Sequence, residues 1–599
     1  MELTKPLNEK NQQLRVLAPV LILSIIFSLI MFGTFWDKVS SLDLWDDDDY
    51  MRLVQISEWV ASGNWYLQPL GRLNPEDGQI IHWTRVPDIV PYILIKAFTT
   101  VTDIEMATLI SISITPLLYL CITAVLIAAT TSKLFGSQYA FISAVYALSS
   151  YLLIKFLPGS IDHHNVQLCI TAFFILLIPI KEYEFEYKRR AWVQGMMIAI
   201  SLWVGVANIL FFISALSILV FYGILRNEKA LKYASTISLS AFVFSLIFVI
   251  LNRPYYEFFD VHVDAISIAF SFCFLSGFVF CVLYSTIYPI NNSRYLSFTF
   301  SLLASLLPTL AAFPELVTDI AYRAHPEILK THWIDLISET FSTTHYIIKN
   351  GFFSSSNIAI MLLPALFSLL FIDKKSPVIN HYFIFILSLS IPFLWQDRAS
   401  ITPLLLAIPL QAYVAINISK KTSNNLYKAL IILILSPVFI GGVLDIAPKT
   451  NNQELLEKTN LTEHTTKSKR LEHLFSEINF DNEKILAPID FGTRILALTK
   501  ANIVSLPYHR NIKGNSNMIE IFISTNLDYV KKEIINNKIT HIIIGDAQQS
   551  KVLKILSSEN SFINKLDRGE LPPWLLRIYK QNGLRVFKIK ERTEGVTHE

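Results

Sequence analysis

Apolar runs long enough to cross a bilayer recur from residue 16 to residue 445, and they leave few folds open. The first, VLAPVLILSIIFSLIMFGTFW at 16–36, carries no charged side chain. A helix needs about 20 such residues to span the hydrocarbon core. Further runs fall near 105–131, 138–156, 165–181, 192–206, 208–225, 231–251, 265–289, 294–313, 352–372, 378–395, 400–418 and 427–445, which makes thirteen expected spans. The chain is 52% hydrophobic and 17% charged, whereas soluble domains carry about 25% charged residues. The stretch RVPDIVPYILIKAFTT, 85–100, is short and marked by prolines, so it is expected along the interface. The first run exceeds the roughly 7–15 residues of a signal-peptide core and precedes no small-residue cleavage site, so it reads as a retained helix.

Loop charge orients these spans. Basic residues concentrate in KEYEFEYKRR (181–190), LRNEKALKY (225–233), DKKSP (373–377) and SKKTSNN (419–425). The positive-inside bias puts these loops and the N-terminus in the cytoplasm. Loops 37–104, 157–164, 252–264, 314–351 and 396–399, and everything after 446, then face outward. From about 480 the pattern turns soluble. EKILAP, NIVSLP and ITHIIIG read as strands, and GTRILALT and NLDYVKKEIINNK as helices. WLLRIYKQNG followed by LRVFKIK reads as a further helix-then-strand pair. The expected architecture is a mostly α, polytopic membrane domain over 1–446 and an extracytoplasmic soluble α/β domain over 447–599.

Several function classes drop out. A net charge of +3 argues against a nucleic-acid partner. Cys121, Cys169, Cys273 and Cys281 sit in apolar runs without CxxC spacing, so they suggest neither a disulfide framework nor a zinc site. Three acidic signals remain. LWDDDDYMRL, 44–53, sets four aspartates side by side, where each raises its neighbour's pKa unless a cation or solvent relieves it. This is either a solvated turn or a metal or general-base site at a membrane edge. LPGSIDHHNVQL, 157–168, groups Asp162, His163 and His164, residue types that bind first-row metals, although Asp162 can also cap a helix starting near 163. DLISETF, 335–341, holds Glu339 in the long loop 314–351. The topology, drawn from hydropathy and basic residues alone, puts all three on one face. Acids at a membrane edge are a functional hypothesis by default.

These blocks resemble the catalytic subunits of oligosaccharyltransferases and, more broadly, the GT-C class of membrane glycosyltransferases. That family's plan is thirteen spans and then an external domain, with long external loops after spans one and nine. DDYMR, 48–52, is similar to its first-loop Asp motif and puts Asp48 in the working place, with Asp49 and Arg52 beside it. GSIDHH, 159–164, is similar to Gly-Ser-Tyr-Asp-Asn-Glu, with Asp162 in the metal-ligand place and His164 where the family has a second acid. LISE, 336–339, puts Glu339 in the late-loop position, and Arg398 in WQDRASITP occupies the place of the arginine that contacts the carrier phosphate. PIDFG, 488–492, keeps Asp490 and Gly492 of Trp-Trp-Asp-Tyr-Gly but loses both tryptophans, which help to recognise the asparagine acceptor sequence. The chain also looks close to a bacterial subgroup with DDxMR, HWxRxxD, IDHHN and PYHRN blocks, here 48–52, 82–88, 161–165 and 507–511.

The resemblance implies an inverting glycosyltransferase of the bacterial plasma membrane, with its C-terminal domain outside (periplasmic). A polyprenyl-phosphate-linked sugar would be the donor, and a protein or glycolipid the acceptor at the membrane lipid surface. A divalent metal, manganese or magnesium, would be held by Asp48, Asp162 and His164. Asp48, Asp49 and Glu339 would serve catalysis. Arg52, Arg398, His82, Asp490, His509 and Arg510 would contact substrate. The alternative is a GT-C transferase that modifies lipopolysaccharide or another lipid, as in aminoarabinose transfer. A transporter or flippase fits less well, because the acids lie in loops and no inverted repeat is visible.

Overall fold

A computed structural model describes residues 5–74, 76, 78–318, 325–337, 340–350, 357–446, 470–546 and 548–590. The apolar runs fold as helices because only an internally hydrogen-bonded segment satisfies its backbone in lipid. The chain divides into a helical unit (Met1–Asp37, Trp83–Ile320 and Glu339–Gln453) and a sheet unit (Lys38–His82, Ala321–Ser338 and Glu454–Glu599).

Seven helices in the described residues are long and apolar enough to cross a membrane, among them Val16–Ser40, Ile104–Phe135, Glu228–Asn252 and Ile268–Asn291. An eighth candidate is the pair Asn425–Ile434 and Pro437–Leu444, bent by 60°. Helices stand at the other expected positions too, shorter than the runs in the described residues; the start of the run 352–372, residues 352–356, lies outside the described residues. The run 138–156 breaks at Ser149 and Ser150 into Ala140–Leu148 and Tyr151–Phe156. Lys188–Val204 begins with three basic residues and stops at Gly205. The bend near 436 precedes Pro437, whose missing N–H interrupts the helical ladder. The stretch 85–100 contains the helix Ile89–Phe98.

Several hydroxyls within the bundle are satisfied locally. Ser111, Thr115 and Thr131 each donate to the carbonyl four residues back, at 2.6, 2.7 and 2.8 Å. Between helices, Ser245 donates to Ser271 at 2.9 Å, and Tyr233 donates to Gln194 Oε1 at 2.6 Å.

In the sheet unit, strands β1 (Lys484–Leu486), β2 (Asn502–Ile503), β3 (His541–Ile544), β4 (Leu575–Gln581) and β5 (Leu584–Ile589) form one sheet in the order β2-β1-β3-β5-β4. β1 pairs in parallel with β2 and β3, and β5 pairs antiparallel with β3 and β4. WLLRIYKQNG is therefore a hairpin strand and not the expected helix. The reason lies in its last residues: Asn582 and Gly583 both take positive φ, 52° and 76°, the backbone a tight hairpin turn needs. Leu329, Trp333 and Ile334 join the core of this unit beside Leu486, Phe522 and Phe587. The first-loop segment joins it as well. Leu73 bridges Ile503 in parallel, Ile503 N donates to Arg72 O at 2.9 Å, and Arg72 Nη1 donates to Thr499 O at 2.8 Å.

Candidate functional site

The four aspartates start a helix, Asp47–Ser62, and each takes a different task. Asp46 is its N-cap. Its Oδ1 accepts from Asp49 N at 2.9 Å, while Asp46 N donates to Asp49 Oδ2 at 3.2 Å, a reciprocal capping box. Asp47 pairs with the fully buried Arg494 and accepts from Thr493 Oγ1 at 3.1 Å. Asp48 Oδ1 accepts from the Tyr508 hydroxyl at 2.9 Å. Asp49 is fully buried. The helix N-terminus favours all four charges. The run is therefore no solvated turn, because each carboxylate is at least partly buried and engaged.

Around it the sheet unit gathers further polar groups. Arg52 is fully buried, with Nη1 3.5 Å from Gln55 Oε1. The Arg494 guanidinium lies 4.8 Å above the Tyr50 ring, which fixes its angle toward Asp47. The His82 ring stands 4.6 Å from that of His509 and 6.5 Å from that of Tyr508. His325 Nε2 lies 3.0 Å from His509 O. Arg510, next in the turn, is half-buried. Asp490 Oδ2 accepts from Gln549 N at 3.2 Å, and Gln549 Nε2 donates to His332 O at 2.8 Å. Gly492 is required where it stands, since a Cβ there would lie 2.1 Å from Ser505 O.

The helical unit holds the second cluster. Asp162, His163 and His164 end the turn before the helix His164–Leu177. Asp162 is not its N-cap, because His163 occupies that position and no side chain caps the helix. Instead Asp162 Oδ1 accepts from His163 N at 2.6 Å and from His163 Nδ1 at 2.5 Å. Its Oδ2 lies 3.4 Å from His164 Nε2. Burial works against the Asp162 charge, but the two imidazoles hold its carboxyl well below the usual range. One ligand atom from each of the three residues lies within 4.8 Å of the others, so the group can hold a cation. Asn165 Nδ2 anchors the turn by donating to Ser160 O at 2.9 Å. Trp83 packs against His163 with ring centres 6.0 Å apart. The charges of Lys155 and Arg398 act on His164. Arg85 and Asp88 form a buried pair at 3.9 Å. Glu339 lies outside the described residues.

No protein-family model matches the sequence, and no curated protein does either. Solved structures do match. The archaeal oligosaccharyltransferase AglB from Archaeoglobus fulgidus, in complex with an inhibitory peptide and a dolichol-phosphate, aligns with a TM-score of 0.61 and 13% identity, over 98% of this chain and 75% of that one. The apo form of the A. fulgidus enzyme gives 0.62 and 13%, over 92% and 72%. Its complex with Zn and sulfate gives 0.58 and 12%, over 95% and 73%. The fold is that of an oligosaccharyltransferase. This oligosaccharyltransferase-like chain is accordingly a multi-pass membrane protein, as hydropathy implied. Within the fold, sequence reasoning located the acidic blocks but missed Arg494 and Tyr508, the side chains that hold Asp47 and Asp48. Arg494 lies two positions after PIDFG, and Tyr508 stands beside the flagged His509 and Arg510. Their proximity to those motifs was the available signal.

Proposed function

We propose that this protein moves a sugar or oligosaccharide from a polyprenyl-phosphate or diphosphate carrier to an acceptor on the outer face of a bacterial plasma membrane. The observation that carries the reading is the likeness, over 98% of the chain, to an oligosaccharyltransferase whose structure holds a dolichol-phosphate and a peptide. Asp162 and His164 offer a carboxylate oxygen and an imidazole nitrogen 3.4 Å apart, a donor pair that fits a divalent cation, manganese or magnesium. The motif resemblance adds Asp48 to that ligand set. A cation held there would supply Lewis-acid stabilisation of charge on the departing phosphate. Arg398 would hold a phosphate oxygen with its guanidinium fork. Asp48, Asp49 and Glu339 are the proposed groups for orienting or deprotonating the acceptor. Arg52, His82, Asp490, His509 and Arg510 are the proposed substrate contacts.

The acceptor separates two readings, protein and glycolipid. The missing tryptophans before Asp490 favour an acceptor other than the asparagine sequence, which keeps the lipid or lipopolysaccharide reading alongside the protein one. The test is transfer of radiolabelled polyprenyl-linked sugar by the purified protein, with manganese or with chelator. Lipopolysaccharide, membranes and an Asn-x-Thr peptide are offered as separate acceptors. Metal-dependent transfer that falls at least 100-fold in Asp48→Ala and in Asp162→Ala is expected. Transfer that survives both substitutions would sink the assignment of the site.

A further inference from the structure

The turn Asp397–Ser400 joins the helices Ile379–Leu394 and Ile401–Ser419 and carries Arg398 on an exposed side chain. An aspartate at such a place ordinarily caps the helix that follows. Asp397 does not, because neither the turn nor the helix Ile401–Ser419 has a side-chain cap. Its Oδ1 accepts instead from the hydroxyl of Thr343, 54 residues earlier, at the start of the helix Thr343–Asn350. Thr343 is buried, so this bond is shielded from water. Two further bonds run beside it. Asp397 N donates to Phe341 O at 2.8 Å, and Thr344 Oγ1 donates to Phe393 O at 2.6 Å. Phe393 lies in the last turn of its helix, where carbonyls have no intrahelical partner, so Thr344 satisfies a group that the helix leaves over.

The far end of the turn is held as well. Thr402 Oγ1 donates to Asn208 Oδ1 at 3.0 Å, and Asn208 Nδ2 donates to Thr171 Oγ1 at 3.2 Å, on the helix His164–Leu177. The turn of Arg398 is thus tied to the helix of His164 on one side and to the segment Phe341–Thr344 on the other. A long exposed side chain delivers its guanidinium to one point only if its backbone is fixed, and functional groups need placing to within roughly 0.5 Å.

We infer that Asp397 is a positioning residue: by accepting the Thr343 hydroxyl it locks the turn of Arg398 to the segment Phe341–Thr344 and so sets where the guanidinium meets a carrier phosphate. The phosphate as the ligand of Arg398 rests on the glycosyltransferase reading; the tie between the two segments does not. This role and a plain electrostatic one predict opposite signs. An acid beside a phosphate repels it, so removal of the charge alone should tighten phosphate binding. Loss of a positioning contact should weaken it.

The test uses the full-length protein in detergent, with undecaprenyl phosphate as the probe. Calorimetry reads its affinity, and hydrogen exchange without lipid reads the helix Thr343–Asn350. Asp397→Ala and the isosteric Thr343→Val should each weaken phosphate binding roughly 10-fold. Both should speed exchange of that helix at least about 10-fold. Asp397→Asn, whose Oδ1 still accepts the Thr343 hydroxyl, should bind as tightly as the wild type or more tightly, and exchange like it. With Arg398→Ala already present, Asp397→Ala should cause no further loss, because a residue that acts through Arg398 has nothing left to position. The inference is overturned if Asp397→Ala binds as well as the wild type, if Thr343→Val exchanges like the wild type, or if Asp397→Asn is as weak as Asp397→Ala. It is overturned too if the Asp397→Ala and Arg398→Ala losses add, or if the wild type takes up no undecaprenyl phosphate. No sugar is transferred in these measurements. A protein that gives the expected set yet transfers nothing refutes the proposed function alone. One that transfers sugar but binds the phosphate equally in all Asp397 and Thr343 variants refutes the positioning role alone.

Discussion

At the scale of single residues, the acidic run shows how like charges coexist once each has its own counterpart. Two aspartates cap the helix they begin, one faces a buried guanidinium and one a tyrosine hydroxyl. Tyr508 is the partner whose removal is informative. Tyr508→Phe deletes one hydrogen bond to a charged acceptor, worth about 1.5–3 kcal/mol, while keeping the ring. If Asp48 works in the transfer reaction, kcat should fall roughly 10-fold or more, beyond the drop of a few degrees in melting temperature that the lost bond entails. An unchanged kcat would remove Asp48 from the reacting groups. The sequence made the location of these acids legible, since four adjacent carboxylates need relief. It could not say which partner relieves which acid. Arg494 lies 447 residues from Asp47, and no local pattern spans that separation.

At the scale of elements, hydropathy located helices because a lipid-facing or buried face must be apolar along its length. Among the described residues fewer helices reach spanning length than there are apolar runs, since Gly205, Pro437 and the Ser149–Ser150 break are small interruptions within otherwise apolar text. The hairpin of β4 and β5 went unread because its alternation is blurred, and the deciding information sat in two turn residues, Asn582 and Gly583. In the same unit, Asp567 on the helix Phe562–Arg568 receives Lys554 Nζ at 2.6 Å and Arg585 Nη1 at 2.5 Å, tying that helix to a second helix and to β5. Burial opposes its charge, but the Lys554 and Arg585 contacts hold the carboxyl below its ordinary value of 3.8. A carboxyl depressed in the folded state adds stability that is present above its unfolded pKa. That stability is lost as pH falls through the folded value. Asp567→Asn should therefore lower the melting temperature of this unit at pH 7. The gap to the wild type should narrow steadily below about pH 4. An equal gap at pH 7 and pH 3 would show that the charge does not matter.

At the scale of the whole molecule, the oligosaccharyltransferase-like fold and the basic loops together set a testable orientation. Lys188 starts the helix Lys188–Val204 at the end assigned to the cytoplasm, Tyr255 lies in the segment 252–264 assigned to the outside, and both are exposed. With the four native cysteines replaced, an impermeant maleimide added to intact cells should label Tyr255→Cys and not Lys188→Cys. The reverse pattern would invert the topology and put the acidic blocks on the wrong face for the proposed donor.

The pairing of Asp47 with Arg494 also has a consequence for how the protein is made. The acid emerges 447 residues before its base. At about 5–20 residues per second, roughly 20–90 s separate the two during synthesis. On the outward orientation proposed above, the first loop spends that interval across the membrane without the guanidinium that pairs with Asp47. On that orientation the start of the helix Asp47–Ser62 is among the earliest segments to be translocated and among the last to acquire its native surroundings. Emergence of the segment around Arg494, and not insertion of the first span, becomes the event that completes the loop.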